Sequence, residues 1–307
     1  MLSFAVKRLA QAIFTVWVVA TLVFGLIHMA GDPVSVLAPE QMTTQQRDEL
    51  RASLGLDQPL AVQYYRYIDG VLHGNLGISY YTGRPAMRLV LSRFPVTLRL
   101  VLLSIAIAVI FGLPFGVSSA VHAGGVADRL LRTVSVLGSS VPTFFLGILL
   151  IFFFSVELNL LPSSGAGSWV HYIMPACSLA FFRIALFTRM IRSNVLSTLS
   201  QNYVRTARAK GLSETIVIYK HALRPALLPF ITVFGLQFGQ LLAGAVVTET
   251  IFAMPGMNRL ALEALYRLDY PIILSYVLVV AALFSTINFA VDVIYRLIDP
   301  RVSYGRR

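Results

Sequence analysis

An all-α integral membrane protein is predicted here, on three observations. Of the 307 residues, 57% are hydrophobic and only 13% are charged, whereas soluble domains carry about 25% charged residues. The apolar residues gather in runs of about 20, the length that crosses a hydrocarbon core roughly 30 Å thick. The lysines and arginines stand beside those runs, so the net charge of +11 reads as membrane topology and not as a nucleic-acid surface.

The first run, Leu9–Ala30, follows Lys7-Arg8. It exceeds the roughly 7–15 apolar residues of a secretory signal, and His28 spoils a cleavage pattern before Gly31, so it reads as an uncleaved anchor. Further spans are expected over Leu98–Ala120, Val134–Val156, Leu227–Thr248 and Ile272–Ile298, with a sixth over Tyr172–Met190 that Arg183 interrupts. Gly112, Pro114 and Gly116 are expected to kink the second span and Pro142 the third. Six spans put both termini on one side. With that side cytoplasmic, fifteen lysines and arginines lie inside, while the short outside loops hold only Arg259 and Arg267. The positive-inside rule then gives an N-in, C-in orientation, because a long outside segment translocates whatever its charge.

Residues 31–96 form that long outside (periplasmic) segment. Thr43-Thr44-Gln45-Gln46 is a capping box that opens a helix through Leu54, closed by Gly55. Pro59 starts a second helical pattern with Leu60, Tyr64, Ile68 and Val71 on one face. Tyr64, Tyr65 and Tyr67 suit a membrane–water boundary. The segment either caps the bundle or touches a soluble partner. The organisation is therefore residues 1–30 (N-terminal end and first span), 31–96 (outside), 97–300 (five-helix core with a cytoplasmic loop at 191–226) and 301–307 (cytoplasmic tail). A single cysteine, Cys177, leaves no intrachain disulfide or multi-cysteine metal site and reads as a small buried residue.

The loop holds YVRTARAKGLSETIVIYKHALRPALLP, residues 203 to 229. Two short helices fit, Tyr203 to Lys210 and Ser213 to about Leu223. Gly211 sits at the turn, where positive φ or a close backbone approach is needed, and Ser213 can N-cap the second helix. Pro225 and Pro229 should break the pattern before the fifth span. Ala207, Ala209 and Gly211 leave a surface of low relief, ringed by Arg205, Arg208 and Lys210. Ordinary positive-inside charge and a docking element both remain open on this pattern alone.

The stretch resembles the cytoplasmic loop of binding-protein-dependent ABC importer permeases. Ala207, Gly211 and Leu223 match the family pattern. Arg205, Thr206 and His221 depart from it and Pro225 arrives one residue late, as in the peptide/nickel (dipeptide, oligopeptide, glutathione) subfamily. Six further runs are similar to that subfamily: Gly31-Asp32-Pro33-Val34, Gly55 to Leu60, Gly74-Asn75-Leu76-Gly77, Phe252 to Gly256, Asp269-Tyr270-Pro271 and Asp299-Pro300-Arg301. The resemblance implies six transmembrane helices in the type I permease architecture of ABC importers. It implies a second, related permease, two ATP-binding cassette subunits and an external solute-binding protein, all at a lipid membrane of the bacterial inner-membrane type. ATP and Mg would be held by those partners, with no cofactor or metal in this chain and no nucleic acid. Arg205, Thr206, Ala207, Arg208, Ala209, Lys210, Gly211 and Leu212 would couple the chain to the ATPases. Pro255, Gly256 and Asp269 would lie near an external gate.

Polar residues at mid-depth are candidates for the solute pathway. Arg183 sits near the centre of its span, where a charge costs roughly 2.5–3.5 kcal/mol on insertion scales. It pairs with a passing carboxylate or phosphate, bonds carbonyls of a neighbouring helix, or reaches toward the interface. Gln237, Gln240 and Asn288, with Ser285, line a pathway or bond between helices. Among rival classes, an intramembrane protease lacks its motif, since Gly116-Val117-Ser118-Ser119 has no closing glycine and no His-Glu-x-x-His occurs. A stand-alone secondary transporter or channel accounts for the spans but leaves residues 203–229 without a purpose. A transport subunit with no catalytic residues and no ATPase site of its own is the reading that uses both.

Overall fold

Every apolar run becomes helix in the computed structural model, which describes residues 2–38 and 42–298. Among these there is no strand, only an isolated bridge between Ile78 and Pro85. Five helices are long and apolar enough to cross a membrane, or six if one bent pair is a single span. The run Asp299-Pro300-Arg301 and the tail lie outside the described residues.

The chain forms two compact units. Unit one comprises residues 1–97 and 255–286. It contains α1 (Leu2–Ala30), α2 (Pro33–Leu37), α3 (Thr44–Ser53), α4 (Leu60–His73) and α13 (Met257–Tyr266), with the N-terminal parts of α5 (Ala86–Val121) and α14 (Tyr270–Ile298). The Thr43 capping box is present in full, the Thr43 hydroxyl accepting from Gln46 N–H and the Gln46 side chain accepting from Thr43 N–H. Gly55 follows with φ +70°. Helix α4 begins after Pro59 and lays Tyr64, Ile68 and Val71 on the core beside Phe24 and Tyr67, while Leu60 stays exposed. Burial pushes the Tyr67 phenol up to about 12. Helix α2 was not foreseen: Asp32 caps it by accepting from Val34 N–H at 3.0 Å and pairs with Arg51. Helix α5 starts at Ala86, N-terminal to the apolar run that begins at Leu98, and passes through Pro95 as one element.

Unit two, residues 98–254 and 287–307, holds the rest of α5 with α6 (Val126–Ser140), α7 (Thr143–Leu150, continued as a π turn Ile151–Glu157), α8 (Ile173–Leu199), α9 (Asn202–Ala209), α10 (Glu214–Ile216), a π stretch Val217–Ala222, α11 (Leu223–Gly244) and α12 (Val246–Ile251). Helix α5 runs as one element through Gly112, Pro114 and Gly116. The two glycines let it approach α8: a Cβ on Gly116 would lie 2.7 Å from Ile191 Cβ, and one on Gly112 would lie 2.8 Å from Phe187 Cβ. Small residues four apart serve this close packing in membrane helices. As expected of Pro142, the run Val134–Val156 is bent: it breaks by 99° between α6 and α7, where Pro142 holds Val141 extended at φ −83°, ψ 121°. The expected break at Pro225 and Pro229 is corrected, since helix runs unbroken from Glu214 to Gly244. The carbonyls that lose an i→i+4 donor to these prolines are those of His221 and Pro225, and His221 lies in the π stretch that already departs from that bonding. Asn194 Nδ2 of α8 donates to the neighbouring Ala226 carbonyl at 3.1 Å and ties this segment to α8.

Candidate functional site

The loop after α8 folds into a small module. Helix α9 ends at Lys210 and Gly211 takes φ +76°, the left-handed conformation that glycine adopts without a Cβ penalty. Ser213 stands at the N-cap of α10 with extended backbone but makes no side-chain cap bond. The Gly211 turn is instead closed by charge: Arg208 Nε donates to Glu214 Oε1 at 2.8 Å. Behind it, Val204, Ala207 and Val217 are buried together with Leu199 against them. The hairpin of two short helices is thus held by an apolar seam on one side and an ion pair at the tip.

This geometry sorts the expected contact residues. Arg205, Thr206, Arg208, Ala209, Lys210, Gly211 and Leu212 are exposed. Ala207 is not; at 5% exposure it belongs to the inner seam, because its position three residues after Val204 puts it on the same helix face. Leu212, Ile216, Tyr203 and Tyr219 present large apolar surface between the cations. An exposed apolar group ringed by Arg and Lys is what a protein partner with an acidic-rimmed cleft would take.

The mid-depth residues are only partly gathered. Gln237 Nε2 donates to Gln240 Oε1 at 3.1 Å, an intrahelical bond on α11 and not the interhelical bond considered from sequence. Gln237 Oε1 is buried with no partner among the described residues. Arg183 Nη1 donates to the Leu179 carbonyl of its own helix at 2.8 Å, and its Nε is buried without a partner. Asn288 is half-buried on α14. Cys177 is half-buried and borders an apolar cavity of about 330 Å³ with Phe111, Phe181 and Thr188.

Of the expected gate residues, Gly256 is the extended N-cap of α13 and Pro255 precedes it. Asp269 is 2% exposed. It accepts from Ser79 Oγ at 2.6 Å and Tyr80 N–H at 3.3 Å, and from the backbone of Ile272, so it caps α14 while pinning the 79–80 turn. Burial pushes its carboxyl above the usual carboxylate range, and these donors pull the other way without overcoming it.

Asp128 was missed from sequence. It is wholly buried and accepts a fork from Arg192, Nε to Oδ1 at 2.7 Å and Nη2 to Oδ2 at 2.9 Å. Ser119 Oγ (2.6 Å) and Gly124 N–H (2.9 Å) complete its shell, with Arg132 Nε 3.5 Å away. The available signal was its isolation: it is the sole carboxylate between Asp69 and Glu157, set in a run of arginines.

Residues 112–304 match the family described as "Binding-protein-dependent transport system inner membrane component", and residues 1–101 match the N-terminal region described for such components. The chain is similar to the glutathione transport system permease protein GsiC of Escherichia coli strain K12, at 44% identity over 305 residues, 99% of this chain and 100% of that one. The GsiC of Salmonella paratyphi A is similar to the same extent, 44% over 305 residues. Among solved structures, an inward-facing form of the MetNI methionine ABC transporter aligns with a TM-score of 0.57 at 22% identity, covering 69% of this chain and 97% of that one. An amino acid ABC transporter crystallised with histidines aligns at 0.52 and 18%, covering 70% and 94%.

Proposed function

Because the chain belongs to the family of binding-protein-dependent transport system inner membrane components, we propose that it carries glutathione or similar short peptides through the membrane in concert with separate ATPase subunits. It is a multi-pass inner-membrane permease of the peptide-type ABC importer class, a transport subunit, and the stand-alone transporter reading is set aside. The observation that carries the substrate proposal is the full-length 44% identity to glutathione permeases.

Such a permease does no bond chemistry; it holds two conformations and lets its partners choose between them. We read the module at 202–222 as the handle, with Leu212, Ile216 and Tyr219 as its apolar face and Arg205, Arg208, Ala209, Lys210, Thr206 and Gly211 around it. Ala207 acts from behind, by fixing the hairpin. The sequence has no Gly-x-x-x-x-Gly-Lys-Ser/Thr to cradle a nucleotide, which supports assigning ATP and Mg to two partner ATPases. A related second permease and an external solute-binding protein complete the proposed complex. The clustering of basic residues in the 191–226 loop supports an N-in, C-in orientation with that loop cytoplasmic and 31–96 outside. Arg183 is the proposed attachment point for a peptide carboxylate, with Gln237, Gln240 and Asn288 along the same route. Pro255, Gly256 and Asp269 are proposed for the outer gate, where they shape the start of α13 and α14.

The test is copurification of the tagged chain from detergent with its partner subunits coexpressed. Gly211→Arg and Leu212→Asp should lose the ATPase while wild type keeps it. Retention of the ATPase by both variants would move the docking site elsewhere.

A further inference from the structure

We propose that the buried Asp128–Arg192 pair is a positioning device that makes the α5–α6 corner and the base of the docking hairpin move as one piece when the ATPases act. The inference rests on the reading of 202–222 as the ATPase handle.

Three elements converge on one carboxylate. Ser119 comes from the end of α5, Gly124 from the turn and Arg192 from α8, while Asp128 itself sits in the first turn of α6. Negative charge is favoured there by the helix dipole. A two-pronged guanidinium–carboxylate contact fixes both distance and rotation, so it resists sliding of α8 on α6 in a way an apolar contact does not. Arg189, one turn earlier, repeats the link by donating to the Ser135 carbonyl of α6 at 3.2 Å.

Arg192 lies seven residues before the end of α8 at Leu199, and the docking helix α9 begins at Asn202. That is about 10 Å of uninterrupted helix at 1.5 Å per residue. A push on α9 must therefore reach the fork before it reaches mid-membrane. A buried ion pair is weak evidence of stabilisation, since apolar replacements are often tolerated. Its directional geometry is the property that a load-transmitting joint uses.

The experiment places spin labels at Ala123→Cys, on the α5–α6 turn, and Ser200→Cys, at the end of α8, in a Cys177→Ser background. The complete complex with its ATPases and binding protein is measured with and without ATP and vanadate. With the native pair, the distance distribution should be the same in both states. With Asp128→Asn, and separately with Arg192→Lys, it should match the native one without nucleotide and shift or broaden only with ATP and vanadate. The double variant Asp128→Leu with Arg192→Met, which leaves no unpaired buried charge, should behave alike. Variants indistinguishable from native in both states overturn the proposal, as does broadening already present without nucleotide, which marks a purely structural contact. If wild type itself retains no ATPase, the handle reading and this inference fall together; if ATPase is retained and lost in Gly211→Arg, only the joint is on trial.

Discussion

Replacing Gly116 by alanine tests the contact between α5 and α8 most directly. The new methyl would sit 2.7 Å from Ile191 Cβ and 2.8 Å from both Ile191 Cγ2 and the Thr188 carbonyl oxygen. Carbon atoms rest at about 3.5–4.0 Å, so the two helices must separate locally by about 1 Å. Overpacking of this kind costs about 1–3 kcal/mol. Arg192 adjoins Ile191, and a shift of that size would carry its 2.7 and 2.9 Å bonds to Asp128 past the roughly 3.2 Å limit of a good hydrogen bond. Thermal unfolding of the purified complex, followed by tryptophan fluorescence, should show a drop of several degrees. Ile191→Ala removes Cγ2 but neither its Cβ nor the Thr188 carbonyl, so the double variant should recover only part of the loss. Gly25→Ala, where a Cβ meets nothing within 4 Å, is the matched control and should not lower stability. An unchanged midpoint for Gly116→Ala, or full rescue by Ile191→Ala, would refute the close-packing argument.

Other outcomes follow from smaller features. Thr43→Ala should weaken α3 by about 0.5–2 kcal/mol, read as faster proteolysis within 42–54 with the complex otherwise intact; unaltered cleavage kinetics would deny the capping box its role. Tyr67, raised to about 12 by burial, contributes stability that is fully present below the ordinary tyrosine value near 10 and is lost as pH rises through about 12, up to about 2–3 kcal/mol. Tyr67→Phe should flatten the fall of the unfolding midpoint between pH 10 and 12, and an identical fall in the variant contradicts the assignment. The exposed Arg208–Glu214 pair is worth at most about 1 kcal/mol. Glu214→Gln should therefore leave the melting midpoint nearly unchanged while loosening the Gly211 turn, seen as weaker ATPase retention at low salt, a difference that shrinks as salt screens the native pair; a large stability loss would mean the pair does more than shape the tip.

How much of this was legible in the amino-acid sequence depended on the range of the interaction. Local signals read well: Thr43 and Gln46, Gly55 and Gly211 each did what a cap or a left-handed turn requires, since those demands are set within four residues. Signals whose meaning depends on a neighbour misled. Gly112 and Gly116 were read as part of a kink, and their close approach to α8 is a property that nothing local to α5 announces. Pro225 and Pro229 looked like stops, yet the helix that contains them runs on to Gly244. Ala207 was expected on the contact surface, but a face shared with Val204 turns it inward. Asp128 went unread because its worth lies in Arg192, 64 residues away. The family resemblance carried the function, and the residues alone supplied the membrane, the loop and the turn.

The break between α6 and α7 bears on how the protein is made. Each arm has 15 residues, Val126–Ser140 and Thr143–Glu157, about 22 Å of helix and short of the roughly 30 Å a lone span must cover. Val134–Val156 is one apolar stretch, and the Val141–Pro142 step that bends it lies within that stretch. The bend is therefore written into the segment that the insertion machinery receives, and neither arm alone has the length of a span.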